Sequence, residues 1–480
     1  MSGKGHTKAD LDAVKATLAC YGQEHLLAHW ERLNDTQRDA LLADIARINF
    51  PAIAPLIETH VRREPTFTPP AKLEPAPYLP ARPDLEQVGR YADAVKQGVE
   101  RIRKNRVAAF TVAGGAGTRL GFDGPKGAFP ISPVKNKPLF QLFAEQIIGT
   151  NRRYGSDLRW YIMTSPSNDA ATRRFFEEHD YFGLSPQRVR FFQQGVMPAF
   201  DREGRILLDT PDRIAFSPDG HGGSLLALKH SGALAEMAEG EIEAISYFQV
   251  DNPLVHAIDP LFLGLHATTG SEMSSKTIHK ADDLERVGNF VLADGRVTVI
   301  EYSDLPEELA HARNPDDSRK FDLGSIAIHV LSRSFAERLT ADESHFGLPW
   351  HRAVKKVAYL DAQGRRIEPD APNAIKLEAF VFDAIPHAAN PLILETLRAE
   401  EFSGVKNATG VDSAETARRD MNRRAAAWLE TAGYEVPRKP DGEPDGLFEI
   451  SPTLALDADH LREVMVEPPR ITPGGSHYWQ

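Results

Sequence analysis

From Val107 to Ala113 the chain reads VAAFTVA, an unbroken apolar and small-residue run of the kind expected for a strand buried on both faces. Further strand-like runs at Arg159–Thr164, Val189–Gln193 and Ala244–Val250 alternate with helical spacing over Leu139–Ile148 and Asp169–His179. That alternation predicts an α/β fold with a mainly parallel sheet. Strands are also predicted over Arg296–Tyr302, Ser325–Leu331 and Lys376–Phe382, extending or flanking the sheet. Nearer the start, Leu26, Leu27, Trp30 and Leu33, then Leu41, Leu42, Ile45 and Ile48, recur at helical spacing, with Asn34, Asp35 and Thr36 offering an N-cap between them.

Seven prolines between Pro65 and Pro83 exclude helix and sheet interiors and predict an extended strap. After about Pro386 a charge-rich helical segment runs through Leu429, followed by a tail containing PRKPDGEPDG with limited strand content. The expected organisation is a helical N-terminal region with its strap over 1–100, a catalytic domain over 101–385 and a small C-terminal domain over 386–480. A chain of 480 residues is long enough for two or three such cores.

Composition narrows the classes of partner. A net charge of −12 argues against extended contact with nucleic acid or an anionic membrane, while permitting a small basic pocket. No apolar run approaches the ~20 residues that span a bilayer, and the start, MSGKGHTKAD, has no apolar signal segment. Cys20 is the only cysteine, so neither an intrachain disulfide nor a cysteine-based zinc cluster can form. A cytoplasmic location is expected, and the oligomeric state, monomer or dimer, stays open.

Immediately after the first buried strand comes VAGGAGTRLGFDGPKG, Val112 to Gly127. Its glycines expose backbone N–H groups, while Arg119 and Lys126 add positive charge, a combination suited to phosphate. Gly115, Gly117 and Gly121 lack the G-x-G-x-x-G spacing, and Lys126 follows Pro125 rather than a Walker glycine. Taken alone, the glycines also fit a tight turn. Asp251 ends the run ISYFQV, where its carboxylate could hold magnesium at a sheet edge; Asp251 and Asn252 could equally cap the next turn. There is no H-E-x-x-H and no G-x-S-x-G, the local marks of a zinc protease or a serine hydrolase.

The glycine loop resembles the signature of the eukaryotic-type UDP-sugar pyrophosphorylases. The likeness continues in order through WYIMTSPSN, FFQQGVMPAF, FSPDGHGGSLLAL, YFQVDNPLV, VIEYSDL, AVKKVAYLD, NAIKLEAFVFD and EEFSGVKNA, from about residue 22 to about residue 460. It is strongest toward the members that make UDP-N-acetylglucosamine. The resemblance implies a Rossmann-like nucleotidyltransferase core with a mixed, mainly parallel sheet between a helical N-terminal region and a small C-terminal domain. It further implies magnesium-dependent conversion of UTP and a sugar 1-phosphate to UDP-sugar and pyrophosphate, with N-acetylglucosamine 1-phosphate the expected acceptor.

By that resemblance Val112, Ala113, Gly114, Gly115, Lys126, Gln194, Gly222, Asp251 and Lys376 contact UTP, with Gln194 reading the uracil edge and Asp251 near the metal. Backbone donors at Gly114, Gly115 and Gly117, with Arg119 and Lys126, can hold the triphosphate; Arg119, Lys126, Asp251 and Lys376 form the expected catalytic set. His221, Glu301, Tyr302, Ser325 and Lys406 are implied to contact the sugar phosphate.

His221 and Ser325 stand where the animal enzymes have asparagine, which opens the acceptor pocket to glucose or galactose-type phosphates. Alternatives are therefore a glucose-1-phosphate or broad-specificity enzyme, and a regulator that binds UDP-sugar without turnover. Retention of Lys126 and Asp251 counts against the regulator.

Overall fold

The computed structural model describes residues 8–65, 70–342 and 348–480, so residues 66–69 of the proline-rich strap lie outside the described residues. Two compact units emerge, neither continuous in sequence: Met1–Pro69, Gly195–Gly223 and Asp342–Val381 form the first, and Pro70–Gln194, Ser224–Ala341 and Phe382–Gln480 the second.

In the first unit, Asn34 caps the helix Asp35–Ala46 in a reciprocal capping box with Gln37, as its sequence position predicts. The preceding apolar positions form two short 3₁₀ turns, Glu24–Leu27 and Trp30–Arg32, instead of one α-helix. Tertiary bonds compete there: Gln23 Nε2 donates to Gly204 O at 2.9 Å, Ile206 N donates to Gln23 Oε1 at 2.9 Å, and the His25 ring bonds Ile206 O at 2.7 Å. Leu26, Trp30, Leu41, Ile45, Phe200, Ile375 and Leu377 share one buried apolar cluster. Lys376 therefore sits on Ala374–Ala379, which pairs antiparallel with Trp350–Lys355 in a two-stranded sheet of this unit. The expectation that this run extends or flanks the main sheet is corrected accordingly.

The second unit is built on a ten-stranded mixed sheet. Its parallel half runs Ala244–Gln249, Val107–Val112, Arg159–Thr164, Val189–Gln193 in spatial order, each strand paired parallel with the next. Val107 to Thr111 are all buried, which explains their uninterrupted apolar character. Leu139–Tyr154 and Asp169–Glu178 are helices as predicted. On the other side, Leu323–Ser332 pairs antiparallel with Ala244–Gln249 and carries the sheet on to Gly288–Ala293 and Arg296–Ile300. The helices Val88–Arg103 and Pro260–Thr268 pack backbone to backbone: a Cβ on Gly98 would lie 1.8 Å from Pro260 O, and one on Gly264 1.7 Å from Ala94 O.

Toward the C-terminus, Ser413 caps the helix Ala414–Thr431, and Gly446–Ile450 pairs parallel with Gly475–Trp479 around Trp428, Leu429 and Phe448. Among the described residues no single helix is long and apolar enough to cross a membrane. Cys20 is a free, exposed thiol.

Candidate active site

The order of strands creates the site in the second unit. From Val107–Val112 the chain moves outward through Arg159–Thr164 and Val189–Gln193, then returns to the opposite side of Val107–Val112 with Ala244–Gln249. The C-terminal ends of Val107–Val112 and Ala244–Gln249 flank this switch point, where ligands bind in open α/β sheets. One end releases the glycine loop and the other Asp251. Val250 N donates to Val112 O at 3.0 Å, which holds the two exits side by side.

The loop folds back on itself. Gly117 N donates to Gly124 O at 2.9 Å and Lys126 N to Gly115 O at 3.1 Å, returning Lys126 over the loop. Its 3₁₀ turn, Lys126–Ala128, packs so closely that a Cβ on Gly127 would lie 2.2 Å from the Phe140 ring. Lys126 Nζ consequently stands 3.4 Å from Asp251 Oδ2, with both side chains largely buried. Arg119, on the turn Thr118–Leu120, is exposed and makes no ion pair among the described residues.

Lys406 joins the same cluster. Val405 N donates to Asp251 O at 2.8 Å, so the segment carrying Lys406 is hydrogen-bonded to the aspartate itself. Lys406 Nζ lies 3.4 Å from Asp412 Oδ2. Burial works to lower the Lys406 pKa, but attraction to Asp251 and Asp412 outweighs it and holds the pKa above the ordinary lysine value. Two ammonium groups, Lys126 and Lys406, thus face two carboxylates, Asp251 and Asp412, a charge-balanced cluster that holds both cations beside the glycine loop.

Asn252, read from sequence only as a turn cap, has a second role in this arrangement. Its Nδ2 donates to Glu401 O at 2.7 Å, while its Oδ1 accepts from Ser403 N at 3.2 Å. Lys276 Nζ lies 2.5 Å from both Asp259 Oδ2 and Glu401 Oε2 in an ionic triad whose Lys276 and Glu401 are buried and whose Asp259 is partly exposed. The partners Glu401 and Ser403 had no local sequence signal, because their contacts with Asn252 join segments about 150 residues apart.

Gln194 N donates to Thr164 O at 2.8 Å, placing this residue beside the glycine loop. A Cβ on Gly114 would fall 2.4 Å from Gln194 Oε1, and Gln194 Nε2 is buried without a hydrogen-bond partner. The orphaned donor and nearby acceptor suit the edge of a pyrimidine imide. Along the sheet, a Cβ on Gly288 would meet Glu301 Oε1 at 3.4 Å and Ser325 Cβ at 3.8 Å, so these two predicted sugar contacts converge on one glycine. Gly288, a glycine inside a strand, was the available signal for this close approach. Tyr302 is exposed beside Glu301.

His221, Gly222 and Lys376 belong to the first unit. His221 Nδ1 accepts from Val381 N at 3.1 Å, which leaves the proton of a neutral ring on Nε2. Its ring stacks on Phe380 at 5.2 Å, and Phe380 stacks on His351 at 4.4 Å. A Cβ on Gly222 would meet Ala379 C and Phe380 N at 2.7 Å, so the unit's own backbone requires glycine there. Burial drives the Lys376 pKa below the ordinary lysine value; Glu378 opposes that shift and Lys355 adds to it.

A glycine loop, two lysines and an aspartate gathered at the switch point of the mixed sheet are the arrangement of an α/β nucleotidyltransferase. The family model described as UTP–glucose-1-phosphate uridylyltransferase matches residues 81–419. UDP-N-acetylhexosamine pyrophosphorylase-like protein 1 from Homo sapiens is 36% identical over 481 residues and 93% of each chain. UDP-N-acetylglucosamine diphosphorylase 1 from Arabidopsis thaliana is 33% identical, over 94% of this chain and 90% of that relative. The crystal structure of the uridine diphosphate N-acetylglucosamine pyrophosphorylase from Trypanosoma brucei, in complex with an inhibitor, superposes with a TM-score of 0.81 at 27% identity, covering 99% of both chains. The chain belongs to the UDP-sugar pyrophosphorylase family.

Proposed function

We propose that this protein joins UTP to N-acetylglucosamine 1-phosphate, releasing pyrophosphate. The observation carrying this reading is the cluster of Lys126, Asp251 and Lys406 beside the glycine loop, which combines phosphate binding with control of charge. The named activities of the relatives support the same substrates.

In the proposed reaction a phosphate oxygen of the sugar 1-phosphate attacks the α-phosphorus of UTP. A bond forms between that oxygen and phosphorus as the bond to the α–β bridging oxygen breaks, and the bridging oxygen departs on pyrophosphate. The attacking group is already an anion, so alignment and charge neutralisation are the main tasks. The loop N–H groups and Lys126 bind UTP phosphates, Gln194 reads uracil, and Lys406 attracts the acceptor phosphate. Glu301, Tyr302 and Ser325 contact the sugar in this reading.

Magnesium fits a substrate-shared site better than an all-protein cage. Among the described residues no group of three His, Cys, Asp or Glu side chains could hold a metal. One largely buried aspartate suits a small cation that takes its remaining oxygens from phosphates and water. Asp251 would hold the ion, which when bound supplies charge neutralisation to phosphate oxygens.

The test is turnover of UTP, magnesium and N-acetylglucosamine 1-phosphate by the purified protein, with the nucleotide product identified by mass. UDP-N-acetylglucosamine is the expected product, with little formed by Asp251→Asn. Wild-type turnover that Asp251→Asn leaves unchanged would contradict the assigned charge cluster.

A further inference from the structure

The glycine loop can serve phosphate only if its peptide planes face the correct way. The N–H groups of Gly114, Gly115 and Ala116 have no intrachain acceptor among the described residues. The opposite edges of two of those peptide planes are occupied by one side chain. Asn168 Nδ2 donates to Ala113 O at 2.9 Å and to Gly115 O at 3.2 Å. Its Oδ1 accepts from Ser165 N at 2.8 Å, which fixes the amide's own orientation. Asn168 is buried and immediately precedes the helix Asp169–Glu178.

In a trans peptide, the carbonyl of one residue and the N–H of the next point in opposite directions within one plane. The chain has no cis peptide bonds. Turning the carbonyls of Ala113 and Gly115 toward Asn168 therefore turns the N–H groups of Gly114 and Ala116 away from it. We propose that Asn168 is a positioning residue for nucleotide phosphate, acting through these two planes without touching the ligand. This inference rests on the UTP-binding reading of the loop.

The chemistry is specific to an amide. Asparagine supplies two N–H donors from one nitrogen and an acceptor for Ser165, whereas aspartate presents only oxygens to the two loop carbonyls. A carboxylate there would also add negative charge beneath a triphosphate site. Serine retains one donor at shorter reach, and alanine none.

The experiment compares wild type, Asn168→Ala, Asn168→Ser and Asn168→Asp by calorimetric UTP binding, separate KM values for UTP and sugar 1-phosphate, and thermal unfolding. Asn168→Ala should weaken UTP binding by about 10- to 100-fold, as expected when partial reorientation of two donors loses the equivalent of one hydrogen bond to an anion. The acceptor KM should remain within about threefold, Asn168→Asp should bind UTP more weakly than alanine, and serine should recover part of the loss. If alanine fails to fold, the serine and aspartate pair retains the same ordering test. Folded variants with wild-type UTP affinity, or equal losses for UTP and acceptor, would overturn the positioning role. A wild-type protein that binds no UTP would overturn the nucleotide reading beneath it; wild-type binding with an indifferent Asn168 would overturn this inference alone.

Discussion

Replacing Gly114 by alanine tests whether the glycine loop and Gln194 form one nucleotide-reading device. The added Cβ would stand 2.4 Å from Gln194 Oε1, 3.0 Å from Cδ and 3.4 Å from Nε2. The first contact is too short, but the obstacle is the end of a flexible side chain. Gly114 has no positive φ demanding glycine, so the fold should tolerate alanine while the Gln194 amide swings aside. If that movement removes two neutral hydrogen bonds to uracil, at about 0.5–1.5 kcal/mol each, the total is about 1–3 kcal/mol. The corresponding fall in kcat/KM for UTP is about fivefold to 150-fold. The assay measures kcat/KM for UTP and CTP in both proteins, with thermal midpoints as the folding control. Discrimination between the nucleotides should shrink with little change in stability. Unchanged UTP kcat/KM and an unchanged UTP-to-CTP ratio would refute this use of Gln194.

Lys126→Ala should reduce kcat/KM by about 10²- to 10³-fold, measured by pyrophosphate release, because it removes a preorganised phosphate donor beside Asp251. Ser325→Asn should shift relative kcat/KM toward N-acetylated acceptors by adding an amide beside Gly288 and Glu301; paired kinetics with N-acetylglucosamine 1-phosphate and glucose 1-phosphate measure that shift. Lys276→Met should lose about 3–5 kcal/mol in urea unfolding, since it leaves the buried Glu401 and its neighbour Asp259 without their cation. Burial lowers the His266 pKa from 6.5 to about 4. Between those pH values the unfolded chain binds more protons, so stability falls as pH drops through the window, by roughly 3 kcal/mol in all. His266→Gln should flatten that part of the stability profile, measured by denaturant unfolding at successive pH values.

The parallel half of the sheet was legible because its strands are buried on both faces and leave continuous apolar runs. The same patterns placed the glycine loop and Asp251 at strand ends, where the structure has them. Lys376 shows the limit of this signal. Ile375, Leu377 and Ala379 are buried at alternate positions, a pattern that identifies a strand without identifying the sheet it joins. The partner strand Trp350–Lys355 decides that question through pairing far from the local pattern. Gly475–Trp479 was similarly obscure, since GSHYW contains few aliphatic residues; Phe448 stacks with His477 and Trp479 at 5.4 and 6.4 Å when the strands meet. The Lys406–Asp412 pair also depends on a fold-back, made by a turn in which Asp412 adopts φ 55°.

The central measurement is pyrophosphate release from UTP and magnesium with N-acetylglucosamine, N-acetylgalactosamine, glucose and galactose 1-phosphates, each product identified by mass spectrometry. The expected result is acceptor-dependent release with the highest kcat/KM for N-acetylglucosamine 1-phosphate and formation of the matching UDP-sugar. Preference for glucose 1-phosphate would contradict the acceptor assignment, and no release with any of the four, from folded protein that still binds UTP, would contradict the proposed reaction.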